Sequence, residues 1–223
     1  MVEMDLPSQM GYDRAIVVFS PEGRIYQVEY ALQAVKLAKT QIGVVYKKGV
    51  ILAAHSPLEK LQIQSKASKV AKIDEHIGVA VCGFTGDARV LTDNLRVQAQ
   101  IHRLTYGEPI DLFVLAKKLA DRMQLYTQFA GARPYGASVL LGGINEEPAL
   151  YVINPSGTLY RWKAKALGRG EKEAQKYLEK KYKDNMTFEE ARKLAIDSIV
   201  QAEQKIEPVY KENIEILNVG RKK

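Results

Sequence analysis

The residues best equipped for chemistry are few and scattered. His55, His76 and His102 lack the short spacing that sets two ligands on one face, so no metal is assigned. Cys82 is the single cysteine and has no partner for a disulfide within the chain. It follows an apolar run and reads as a small buried hydrophobe. Gly168-Arg169-Gly170 is not followed by the lysine–hydroxyl pair of a phosphate loop and reads as a turn. No nucleotide site and no cofactor are expected. A net charge of +7 would permit nucleic-acid binding. The charges are interleaved, however, as in Glu171–Lys183, where acids stand beside bases. Aromatic interleaving of the kind a single-strand platform uses is missing, so no nucleic-acid partner is expected.

The elements that must position any site follow from periodicity. Ser20-Pro21-Glu22-Gly23 favours a tight turn. Ile25, Val28, Leu32 and Val35 form one stripe of an amphipathic helix, expected at about 22–38. Ile42–Ala54 is rich in β-branched residues around Lys47-Lys48-Gly49 and predicts a hairpin. Ala67–Ile73 and Ile77–Cys82 predict a second pair of strands. A helix opening at Asp87 places Val90, Val97, Ile101 and Leu104 on one face, which is expected to cover the strands. The next helix carries Leu112, Leu115, Leu119, Met123 and Tyr126. Strands are expected at Ser138–Ile144, Ala149–Ile153 and Thr158–Trp162, then two helices, then a strand at Ile214–Val219. The second of those helices starts at a capping box, Thr187 with Glu190. Strands joined by short turns and helices arriving in pairs predict an α+β, four-layer αββα sandwich with two mostly antiparallel sheets.

At 223 residues such a domain buries roughly 70% of its unfolded surface and needs no disulfide or metal to hold it. No segment approaches the ~20 apolar residues that span a bilayer. The start, MVEMDLPSQM, lacks the basic residues and apolar core of a signal peptide. A cytoplasmic protein with no membrane partner is expected.

One stretch is far more specific. Tyr12-Asp13-Arg14, Phe19-Ser20-Pro21-Glu22-Gly23-Arg24 and Tyr26-Gln27-Val28-Glu29-Tyr30-Ala31 together resemble the N-terminal signature of proteasome α-type subunits, closest in look to those of archaeal type. The resemblance continues through Gly83–Leu91, Tyr126–Gly136 and Leu141-Gly142-Gly143, and covers essentially the whole chain. It implies the αββα fold of N-terminal-nucleophile hydrolases. It also implies a non-catalytic subunit that forms seven-membered α rings, stacks on β subunits carrying the threonine peptidase sites, and admits unfolded polypeptide. Regulatory ATPases or other activators would dock on the ring.

In active relatives the nucleophile is a threonine at the start of the first core strand, with its own amine as base. Counting back from Gly43 puts Lys39 at that position, and Thr40 one place late. The resemblance implies a mobile gate arm over 1–11 ahead of one domain over 12–223. It gives Tyr12, Asp13, Pro21 and Tyr30 the support of the open gate. Lys69 would hold the C-terminal carboxylate of an activator, with Ala38 and Phe84 shaping that pocket. Phe129, Ala130, Gly131, Ala132 and Arg133 would form the constriction beneath the gate. The family usually keeps small residues, glycine then serine or threonine, where Ala38-Lys39 stand.

Overall fold

The computed structural model describes residues 17–62 and 68–220. Helix α1 (Tyr26–Leu37) leads into the hairpin β1 (Gln41–Tyr46) and β2 (Gly49–His55). A second hairpin follows, β3 (Val70–Asp74) and β4 (Ile77–Gly83), and then α2 (Thr85–Tyr106) and α3 (Leu112–Tyr126). Three strands come next, β5 (Ala137–Ile144), β6 (Pro148–Ile153) and β7 (Leu159–Trp162). After them come β8 (Ala164–Leu167), α4 (Glu171–Lys181), α5 (Phe188–Glu203), a short 3-10 turn and β9 (Ile214–Gly220).

The strands form two antiparallel sheets, ordered β8-β1-β2-β9 and β3-β4-β5-β6-β7. Helices α4 and α5 cover the first sheet, and α2 and α3 cover the second. This is the αββα sandwich the pattern predicts. Alternation along each strand explains the layering, because successive side chains point to opposite faces. From β2, Val50, Leu52 and Ala54 enter the core between the sheets, while Ile51 and Ala53 pack under α5. From β4, Ala80 and Cys82 face the other sheet, while Val79 and Val81 pack under α2. Strands β2 and β5 are buried on both faces, which is why they read as unbroken apolar runs. Gly43 lets the sheets close, since a Cβ there would stand 2.7 Å from the Leu150 methyls of the opposite sheet.

Several expectations need correction. Helix α1 is shorter than 22–38, because the chain first makes a turn in which Ser20 N donates to Arg24 O at 2.8 Å. The face of α2 that covers the sheet is Leu91, Thr92, Leu95 and Ala99, not the expected Val90, Val97, Ile101 and Leu104. That expected stripe is exposed, with Leu104 at 86%. Strand β3 starts at Val70, and Ala67, its expected first residue, lies outside the described residues. Strand β8 has no counterpart among the expected strands. After Lys163 the chain leaves one sheet and pairs with β1 in the other.

Candidate functional site

The head of β1 is densely bonded. Ala38 ends α1 in an extended conformation, and its carbonyl accepts from Arg169 N at 2.7 Å. Gly168 makes this approach possible. Its φ is +98°, and a Cβ there would lie 2.7 Å from Ala38 O. Beyond Ala38, Thr40 is fully buried. Its amide and hydroxyl both donate to Glu203 Oε1, at 2.8 and 2.6 Å, and Gly170 N donates to its Oγ1 at 3.0 Å. Arg169 Nε donates to Glu203 Oε2 at 2.9 Å, and the same guanidinium reaches Glu207 Oε1 at 2.6 Å. Lys39 Nζ donates to Glu207 Oε1 at 2.7 Å.

Glu203 is a buried carboxylate at the last turn of α5. Burial alone would raise its pKa. The nearby His55 ring, Arg169 and the two Thr40 bonds outweigh that and hold it well below the usual carboxylate range. Glu207 is also held low, first by the Lys39 hydrogen bond. The His55 ring is fully buried, with Nδ1 3.4 Å from Glu203 Oε2 and 3.5 Å from Glu207 Oε1, and neither ring nitrogen makes a hydrogen bond. No spacing along the chain hints that His55, Glu203 and Glu207 come together, yet their ligand-type atoms lie within 4.8 Å of one another. Two cations already hold the carboxylates, so a divalent ion would have to displace the Arg169 guanidinium that lies on both.

Lys39 therefore stands at the strand head where the sequence count places it, engaged in an ion pair. Lys69 lies on the other side of His55. Its Nζ donates to His55 O at 3.0 Å, and its pKa is lowered, first by burial and then by the charge of Lys39. It lines a cavity of about 340 Å³ together with Ser68, Val81, Thr85, Arg89, Asp93 and Arg96. Ala38 and Phe84 are not part of that lining. Cys82 is buried beneath this region, its thiol pushed up to about 12 by burial. Its Sγ lies 3.7 Å from both Val35 O and Lys39 O.

Of the residues expected to support the gate, Tyr12 and Asp13 lie outside the described residues, as does the arm over 1–11. Pro21 is exposed in the turn ahead of α1, and Gly23 N closes that turn on Ser20 O at 2.8 Å. Tyr30 stacks on Tyr26, with ring centroids 6.5 Å apart. Arg24 grips Glu29 and sits over the Tyr26 ring, which fastens the turn to the first turn of the helix.

The segment after α3 leaves Phe129, Ala130, Gly131 and Arg133 exposed and Ala132 half-buried. Gly131 has φ +91°. Asp87, in the first turn of α2, anchors the segment. Arg133 makes two bonds to its carboxylate at 2.7 and 2.8 Å, and Gly136 N adds a third at 2.8 Å. Arg133 also covers the Phe84 ring at 5.8 Å. Phe84 thus belongs with this segment rather than with Lys69. Tyr135 is buried and accepts from Arg122 Nε at 3.1 Å.

Arg169, Glu203 and Glu207 meet at the head of β1, and neither spacing nor motif reveals them. A usable signal exists for one of them. Glu203 falls four residues after Ile199, in the apolar register of α5, and a carboxylate at a core position demands a partner.

A family model described as "Proteasome subunit" matches residues 35–219, and a second one, for the N-terminal signature of A-type proteasome subunits, matches residues 12–34. The chain is similar to curated proteins named as the alpha subunit of the proteasome. It is 48% identical over 212 residues to that of Pyrococcus horikoshii, covering 95% of this chain and 80% of the relative. It is 46% identical over 218 residues to that of Thermococcus sibiricus, covering 97% and 83%. It is 48% identical over 215 residues to that of Archaeoglobus fulgidus, covering 96% and 86%.

Proposed function

The chain belongs to the proteasome α-subunit family, and from that premise we propose that it is a wall and gate subunit of the proteasome core particle. It is non-catalytic and assembles with β subunits, which carry the threonine peptidase sites. Seven copies form the outer ring and control the entry of unfolded protein. The arm over 1–11 closes the axial pore, and Tyr12, Asp13, Pro21 and Tyr30 set its state. Phe129–Arg133 borders the constriction below. The Lys69 cavity receives the C-terminal carboxylate of a regulatory ATPase or other activator. On this family reading the site of action is the cytoplasm.

The observation that carries this reading is Lys39. It occupies the nucleophile position, paired with Glu207 and roofed by α1, whose Val35 joins the core between the sheets. An ammonium held in an ion pair has no lone pair to attack a carbonyl. Co-production with archaeal β subunits tests the proposal. The expected result is a ring complex by native mass spectrometry in which this chain keeps its own N-terminal segment and peptide hydrolysis depends only on the β subunits. Hydrolysis by this chain in isolation, or a monomer in both preparations, would refute it.

A further inference from the structure

The bonded cluster at the head of β1 ends on Lys69. We propose that Glu203, acting through Thr40 and His55, is a positioning residue for the Lys69 ammonium and thereby sets how strongly the chain prefers a free C-terminal carboxylate; this rests on the docking role given to Lys69 above.

The path is continuous. Glu203 Oε1 accepts from both the amide and the hydroxyl of Thr40, so the residue is held at two points. Thr40 O accepts from His55 N at 2.9 Å. His55 is the last residue of β2, and its carbonyl is the acceptor on which Lys69 Nζ rests. On the far side, the buried His55 ring is wedged against Glu203 and Glu207, so the residue cannot turn without moving them. Fixing Glu203 fixes the carbonyl that seats the ammonium.

The charges divide in a way that gives the seat a purpose. Glu203 and Glu207 are balanced by Arg169, which touches both, and by Lys39, which touches Glu207. No carboxylate among the described residues pairs with Lys69 within 4.0 Å, and its bond to His55 O uses one of three donors. The four charges of the cluster cancel, Asp93 on the cavity wall is taken by Arg89 and Arg96, and Lys69 feels Glu215 and Glu203 only at a distance, pairing with neither. A carboxylate is the ligand such a cation lacks. Burial strengthens the attraction only if the ammonium is held in place, since reorientation would be repaid from the same energy.

The test uses the assembled chain and two eight-residue peptides with apolar residues at their last three positions, identical except that one ends in a free carboxylate and the other in an amide. Fluorescence anisotropy gives the preference, the ratio of their dissociation constants. Unaltered protein is expected to prefer the carboxylate, and K69A to lose the preference. E203Q and T40V are each expected to cut the preference by about tenfold, as for residues coupled within one network, while amide binding stays within about twofold. E203Q is expected to add nothing to K69A. T40V keeps the β-branched shape of a strand residue and carries the test if E203Q does not fold. Full preference retained in both variants, or equal loss for both peptides, overturns the inference and leaves the docking role standing. No preference in the unaltered chain removes the docking role, and this inference with it.

Discussion

At the scale of single residues, the decisive feature is a carboxylate that the fold keeps ionised where burial would neutralise it. Glu203 is fully buried yet held low by the neighbouring His55 ring, Arg169 and Thr40. A carboxyl depressed in the native state contributes stability that is fully present above its unfolded value, roughly 4.3, and is lost as pH falls toward its native value. E203Q should therefore cost about 3 kcal/mol at neutral pH, the range for breaking a buried ion pair. The gap between parent and variant should narrow as pH falls below about 5, because only the parent loses this contribution on protonation. Urea denaturation at a series of pH values measures it, and a gap constant from neutral to acid pH would show that the charge is not what stabilises. Part of this site is legible in the sequence. Lys39 is legible because the family resemblance supplies the nucleophile position and Gly43 fixes the count to it along one strand. Its partners are not, because Glu203 meets Thr40 across 163 positions and no local period encodes such a pairing. Tertiary packing alone brings β1, β2, the 168–170 turn and the end of α5 together.

At the scale of elements, local chemistry is legible where the chain itself satisfies it. The capping box of α5 is present as expected. Thr187 accepts from Glu190 N at 3.3 Å, and the Glu190 carboxylate accepts from Thr187 N at 2.8 Å. T187A should cost about 1 kcal/mol, the usual worth of an N-cap. The corresponding fall in Tm is about 2–4 °C for a domain of this size, readable by calorimetry. An unchanged Tm would mean that packing of α5 on β1 and β2 makes its cap redundant. Helix α2 shows where local pattern stops being enough. It carries two apolar stripes, Leu91, Leu95 and Ala99 on one side and Val90, Val97, Ile101 and Leu104 on the other. Periodicity identifies a stripe but not the surface it meets. Strand β8 is hidden because it is four residues long and follows β7 after a single residue, so only the switch of sheets separates them.

At the scale of the whole molecule, that second stripe on α2 acquires meaning. Contiguous exposed apolar surface on a folded chain marks a place where another molecule packs. Val97, Ile101 and Leu104 are all about half exposed or more, and they lie along one side of a 22-residue helix on the outer layer of the sandwich. In the isolated chain Leu104 is largely exposed and Ile101 half exposed, so charging either should leave stability within about 0.5 kcal/mol of the parent. If this stripe is the surface that packs on β subunits, an aspartate there would lie desolvated without a partner in the assembled particle. I101D and L104D are therefore expected to fold with a parental urea midpoint, yet to reduce co-assembly with β subunits by at least about tenfold, the equivalent of 1.4 kcal/mol per contact. Native mass spectrometry after co-production reads the assembled fraction, and urea unfolding of the isolated chain reads the fold. Assembly at parental yield would free α2 from the stacking contact and move it to another face. A lowered urea midpoint would mean instead that the stripe already packs within the chain itself. Neither Ile101 nor Leu104 lines the Lys69 cavity or lies in the turn at Pro21, so that cavity and that turn should keep their behaviour in whatever rings still form.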